Sequence, residues 1–195
     1  MYQGEPFVFL RMPSCYHAAM AKKVAPKLLS LEDFLAACAI GPHTALVVLG
    51  EVQDPHNIGA IIRSAAAFGA SGVVLPERRQ APITEVVVNA SAGAVYDIPL
   101  IEIGNVNQCL RTLKEKGFWI YGLAGDGKNA LPTERFDAPA VFVVGNEGEG
   151  LRQKTREQCD VILSIPMGPK IESLNVSNAA AVALFAWSVQ HSEAL

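Results

Sequence analysis

The chain is predicted to fold as an α/β protein, a mostly parallel sheet with helices on both faces. From Thr44 onward, apolar runs of strand length alternate with segments of helical period, the pattern that crossover units produce. The strand runs 46–49, 73–75 and 140–144 are apolar throughout, as suits strands covered on both sides. Gly69 and Gly117 stand where two of the helices should stop.

The first 44 residues differ from the rest. They carry Pro6, Pro13, Pro26 and Pro42 and a basic group, Lys22, Lys23 and Lys27, and residues 1–44 are read as an N-terminal arm or linker. Only 28–38 looks helical there, with Ser30 as N-cap and Glu32 and Asp33 in the first turn. Residues 45–195 form the domain. It begins with a strand over 46–49 and a helix over 57–68, opened by Asn57 and stopped at Gly69. A strand over 73–75, a short helix around 83–91 and a strand near 98–102 follow. Next come a helix over 106–116 ended by Gly117, a strand over 118–123 and a loop over 124–129. The chain then runs through 131–136 to the strand 140–144, a short helix over 151–158, a last strand over 161–165 and a final helix over 176–190. That helix is rich in alanine and apolar on most of its circumference. Such a helix is buried on more than one side, here between the sheet and a further surface of the kind a second subunit supplies.

Bulk composition removes several classes. A chain of 195 residues that is 50% apolar and 18% charged forms an ordinary domain and is not disordered throughout. No uncharged apolar run is long enough to span a bilayer, and the start, Met1 to Phe7, does not read as a secretory signal. Cys15, Cys38, Cys109 and Cys159 are scattered without metal-ligand spacing. Reduced thiols, a cytoplasmic location, no membrane and no metal are therefore expected. A formal net charge of −3 argues against indiscriminate nucleic-acid binding and leaves room for a local basic face.

One loop points to a ligand. Residues 145–150 read Gly-Asn-Glu-Gly-Glu-Gly directly after the strand 140–144. In open α/β sheets ligands bind outside the carboxyl ends of strands, and glycines let the backbone approach them closely. Glu147 and Glu149 make the loop a poor phosphate cradle, and no Gly-Lys-Ser or Gly-Lys-Thr occurs in the chain. The ligand should be neutral or cationic where it meets the protein.

Two more segments complete a set of three. The first motif runs from Asp54 to Gly69 and contains Asn57 and Arg63, the second runs from Val144 to Arg152, and the third runs from Ile165 to Ala179. In this order and at strand ends, they resemble the three motifs of the SpoU/TrmH RNA 2′-O-ribose methyltransferases of the SPOUT superfamily. The resemblance covers roughly residues 45–190. It is strongest toward the 23S rRNA guanosine 2′-O-methyltransferases, through the segments 145–152 and 173–177.

The resemblance implies a SPOUT-type fold with a C-terminal trefoil knot, S-adenosylmethionine (SAM) bound in it, a homodimer, and RNA as the partner. The expected substrate is rRNA, with tRNA as the alternative; a catalytically silent RNA-binding or ribosome-assembly protein of the same fold is the other reading. The small N-terminal RNA-binding domain recurrent in the family is not expected within these 195 residues, and the residues around His17 are read as the remnant of a junction to one, in a truncated chain or in a member with a reduced arm.

The family's site residues carry over onto matching positions. Gly145 and Asn146, with Ile165, Met167 and Leu174, fall where SAM is enclosed, and Leu123, Ala124 and Gly125 would form a third wall; core packing and an ordinary turn are the plain alternatives. Arg63, Asn57, Glu147, Ser173 and Asn175 match the catalytic positions. Asn57 could instead cap its helix, and so could Ser173 or Asn175. Glu147 is expected to orient Arg63 or the incoming nucleotide. For Arg63 the family proposal is general base, but a guanidinium stays protonated in proteins. A charged clamp on the adjacent phosphate, stabilising the developing alkoxide, is the preferred role. Arg152, Arg78 and Arg79, with Lys22, Lys23 and Lys27, are candidates for RNA phosphate; each could equally be a solvated surface charge.

Overall fold

A computed structural model describes residues 26–194. His17, Lys22, Lys23 and Cys15 lie outside the described residues. The chain forms β1 (Leu28–Ser30), α1 (Leu31–Ala37), β2 (Ala45–Leu49), α2 (Pro55–Ala67), β3 (Gly72–Pro76), α3 (Glu85–Ala90) and β4 (Leu100–Ile103). It continues with α4 (Val106–Glu115), β5 (Trp119–Leu123), β6 (Asn129–Ala130), β7 (Ala140–Val144), α5 (Gln153–Arg156), β8 (Val161–Ser164) and α6 (Val176–Gln190). Among the described residues, the strands make one eight-stranded sheet in the order β1-β4-β3-β2-β7-β5-β8-β6, and every pairing among them is parallel.

The apolar runs make sense once both faces are seen. In β2, Ala45, Val47 and Leu49 join one core while Leu46 and Val48 join the other. In β7, Ala140, Phe142 and Val144 alternate in the same way with Val141 and Val143. The first core lies under α2 and α6, with Ile58, Ile61, Ile62, Leu184 and Trp187; the second lies under α1 and α4, with Phe34, Leu110 and Leu113. Each such side chain contributes on the order of 1.5–3 kcal/mol by leaving water.

Two local expectations change. The helix expected over 28–38 is a strand followed by a shorter helix. Leu28, Leu29 and Ser30 pair with Leu100, Ile101 and Glu102, and Ser30 then caps α1 by accepting from Asp33 N at 3.0 Å. Part of the stretch read as an arm is thus built into the sheet edge. The second change is at α2, where the cap is Asp54, which accepts from His56 N at 2.8 Å and is followed by Pro55 at the first helical position. Asn57 sits inside the helix and is buried. The last helix, α6, packs on the sheet through Ala180, Ala183, Leu184 and Trp187, and Val182, Phe185 and Val189 on its other side are 40%, 55% and 64% exposed. No helix among the described residues is long and apolar enough to cross a membrane.

Candidate functional site

β2 and β7 are neighbours at the centre of the sheet, and the chain leaves them in opposite directions: β2 leads to β3 and β4, while β5 and β8 lie beyond β7. The crevice at such a switch point is where open sheets bind ligands. The loops following these two strands touch, with Gly50 N donating to Val144 O at 2.7 Å. The glycine-acid loop folds tightly on itself. Asn146 and Gly150 exchange both backbone hydrogen bonds, at 3.0 and 2.9 Å, and Asn146 Oδ1 accepts from Gly148 N and Glu149 N at 2.8 and 3.3 Å. A Cβ on Gly145 would lie 2.1 to 2.4 Å from Gly150 C and O and Leu151 N, so no other residue fits there without rebuilding the loop.

A chain of side-chain hydrogen bonds joins all three motifs. Glu147 Oε1 accepts from Asn57 Nδ2 at 3.1 Å and from Asp54 N at 3.2 Å, and its Oε2 accepts from Gln53 N at 3.3 Å. Asn57 Oδ1 accepts from Asn175 Nδ2 at 3.0 Å. Asn175 Oδ1 in turn accepts from Ser177 N and Ser177 Oγ at 2.8 and 2.6 Å and caps α6. Burial pushes the Glu147 carboxyl up, but the donors from Asn57, Asp54 and Gln53 outweigh it and hold its pKa below the ordinary glutamate value. Asn57 is therefore neither a cap nor an isolated buried amide. It is the link between the glycine loop and the third motif.

These elements enclose a cavity of about 470 Å³, within the size range of small-molecule sites. Leu123, Ala124 and Gly125 form one wall. Gly145, Asn146 and Glu147 form the second, and Ile165, Met167, Ser173, Leu174 and Asn175 the third. Eleven of the expected site residues therefore line one space. Among the described residues, its lining contains two carboxylates, Glu147 and Glu149, and no lysine or arginine. A bound phosphate would meet no counter-charge, whereas a sulfonium next to carboxylates is favoured. Leu174, still 38% exposed, Ile165 and Leu123 provide apolar surface of the kind a heteroaromatic ring covers. The residues present fit SAM.

The remaining site residues fall elsewhere. Arg63 is exposed on α2, outside the cavity lining, and forms no ion pair with any described residue. The expectation that Glu147 orients Arg63 is not met within the chain, because the carboxylate is taken up by three donors from 53–57. Arg78, Arg79 and Arg152 line a second cavity on the other side of Gly145. Sequence reasoning missed Ser177, which anchors Asn175, and Glu51, which pairs with Arg152 at 2.6 Å and with Arg79 at 3.8 Å. The sequence signal for Glu51 is an acid just past a strand end, next to Gly50. Burial pushes the thiols of Cys109 and Cys159 each up to about 12, so both are protonated and unreactive at neutral pH.

Comparison with known proteins bears on the same segments. The SpoU rRNA Methylase family matches residues 44–185. An uncharacterized tRNA/rRNA methyltransferase of Synechocystis sp. is 43% identical over 173 residues, covering 87% of this chain and 44% of that protein. The 23S rRNA (guanosine-2′-O-)-methyltransferase RlmB of Xanthomonas campestris is 42% identical over 171 residues, covering 87% of this chain and 69% of that protein. Among solved structures, the SpoU methyltransferase AviRb from Streptomyces viridochromogenes in complex with AdoMet superimposes with a TM-score of 0.69 at 29% identity. That match covers 75% of this chain and 57% of AviRb.

Proposed function

This chain belongs to the SpoU rRNA methylase family, and on that premise we propose that it transfers a methyl group from SAM to a ribose 2′-hydroxyl of structured RNA, with 23S rRNA as the substrate. The observation that carries the reading is the junction of the three motifs. The Glu147–Asn57–Asn175 chain draws them together beside a cavity whose charge suits a sulfonium and not a phosphate. AviRb was crystallised with this cofactor, and RlmB acts on 23S rRNA at a guanosine 2′-oxygen.

When bound, SAM supplies a methyl carbon made electrophilic by its sulfonium. The protein's part is to hold and orient. Gly145 brings the main chain of the loop against the cavity, and Leu174 and Ile165 cover an apolar ring. Asn57 fixes Glu147 on one side and Asn175 on the other, so the two walls keep their spacing; correct placement supplies much of the rate in an in-line transfer. Arg63, without an ion-pair partner among the described residues, clamps a substrate phosphate and stabilises negative charge growing on the ribose oxygen. Ser173 lines the cavity and orients the ribose.

Three further readings go with this one. The last strands are threaded as a trefoil knot; the support is the sheet order, in which β8 lies between the consecutive strands β5 and β6, with Gly127 of their connection close against β8 backbone. The protein is a homodimer through the open face of α6, where Phe185 also meets Phe68 edge-on at 5.9 Å. It works in the cytoplasm, where ribosomal RNA is found.

The test is methyl transfer from labelled SAM to rRNA from a strain lacking the gene, with the modified ribose mapped by mass spectrometry. A single new 2′-O-methyl mark is expected. SAM binding without transfer to any rRNA or tRNA would instead identify a silent RNA-binding protein. Arg63→Lys should lower kcat by roughly tenfold through loss of the planar clamp; full turnover in that variant would remove the role.

A further inference from the structure

Resting on the RNA-methyltransferase reading, we propose that the second cavity is a subsite for a nucleotide flanking the target, and that the Glu51 carboxylate occupies the place of its phosphate until RNA arrives. The cavity measures about 430 Å³ and opens beyond the carboxyl ends of β2, β3 and β4. Its lining contains four cations, Arg78, Arg79, Arg152 and Lys154, against one carboxylate, Glu51. That is a concentrated positive site in a chain whose formal net charge is −3. The Asn105 cap and first turn of the ten-residue helix α4 also line it, adding the positive end of a helix dipole.

Glu51 is held in a way that fits a stand-in for an anion. Its backbone is left-handed at φ 68, a conformation that non-glycine residues seldom adopt. One carboxylate oxygen meets Arg152 Nη2 at 2.6 Å, and the other faces Arg79 Nη1 at 3.8 Å. A phosphodiester offers two oxygens to guanidinium groups in the same manner, and arginine is the residue suited to that geometry. Arg79 and Arg152 are 64% and 47% exposed, while Glu51 is only 19% exposed. The cations can therefore swing to an incoming phosphate more readily than the acid can leave.

Position ties the subsite to the cofactor cavity. Gly145 lines both spaces, and Asn146 Nδ2 donates to Glu51 O at 3.0 Å. A nucleotide seated among the arginines would be next to one seated over the first cavity, which is the relation of neighbours along one RNA strand.

The experiment measures binding of a labelled 23S rRNA transcript across salt concentrations, and KM for undermethylated rRNA, in Arg152→Gln, Arg79→Gln and Glu51→Gln. Lys116→Gln, at the far end of α4, is the control. SAM calorimetry and thermal melting show that each variant is folded. Each arginine variant should raise Kd and KM for RNA about tenfold and flatten the salt slope by nearly one phosphate contact. Glu51→Gln should do the opposite, tightening RNA binding about threefold, because no carboxylate must be displaced.

RNA affinity and salt slope equal to wild type in both arginine variants would overturn the subsite. Weakened RNA binding in Glu51→Gln would overturn the stand-in role and make Glu51 a support for the arginines. If the wild type binds the transcript but methylates no RNA, the activity reading fails and the subsite is still judged from binding alone.

Discussion

Two cavities open side by side on the same edge of one sheet, and they are sorted by charge. Among the described residues, the first, beyond β7, β5 and β8, is lined by glycines, apolar and neutral polar residues and two carboxylates without a cation. The second, beyond β2, β3 and β4, is lined by four cations and one carboxylate. Backbone geometry does not make this difference, since both lie past the ends of parallel strands. Side chains make it, and the proposed ligands explain why: a cationic cofactor on one side and an RNA phosphate on the other, with Gly145 between them.

The comparison can be broken most severely at the shared wall. Gly145→Ala places a Cβ 2.1 to 2.4 Å from Gly150 and Leu151 backbone, which a loop closed by its own hydrogen bonds cannot absorb. SAM affinity measured by calorimetry should fall by about 100-fold or more, given overpacking costs of about 1–3 kcal/mol on top of lost contacts. Next is Asn57→Ala, which strips partners from both Glu147 and Asn175. It should lower stability in urea titration by about 2 kcal/mol; unchanged stability would mean that the walls hold their spacing without the relay.

Salt sharpens the contrast with less force. RNA binding that uses three of these four cations should weaken roughly 20- to 40-fold between 0.05 and 0.2 M salt. SAM binding in the cation-free cavity should change by less than about twofold, since it releases no condensed counterions. The smallest effect is acid titration. Glu147 has a folded pKa below its unfolded value near 4.3. Its contribution is complete above the unfolded value and is lost as pH falls through the folded one. Glu147 is exposed, so solvent screens the gain. Melting temperature between pH 6 and 3 should fall slightly less steeply in Glu147→Gln than in wild type.

The central strands and the last helix were legible because their signals are local. Ala140–Val144 and Val176–Gln190 were read from sequence with the bounds found in the structure. β1 was not legible. It is three residues long with only Leu29 partly buried, and it exists because it pairs with β4 some seventy residues away. At α2 the Asp54-Pro55 pair is the stronger start signal, and the bond from Asn175 to Asn57 spans more than a hundred residues that no local capping pattern reports. Most of the first cavity followed from motif resemblance. Residues such as Ser177 and Glu51 did not, because their importance lies in partners that are distant in sequence.

Gly145 has a consequence that reaches past packing. As a partition with a binding space on each face, it makes the two proposed ligands thermodynamically answerable to each other. If seating SAM shifts the loop and tightens RNA by some factor, then RNA must tighten SAM by that same factor, since linkage between binding sites is reciprocal. Asn146, bonded to Glu51 O across the partition, would carry the message both ways. A protein built like this can favour the ternary complex over either binary one without a moving domain, using one glycine and the amide next to it.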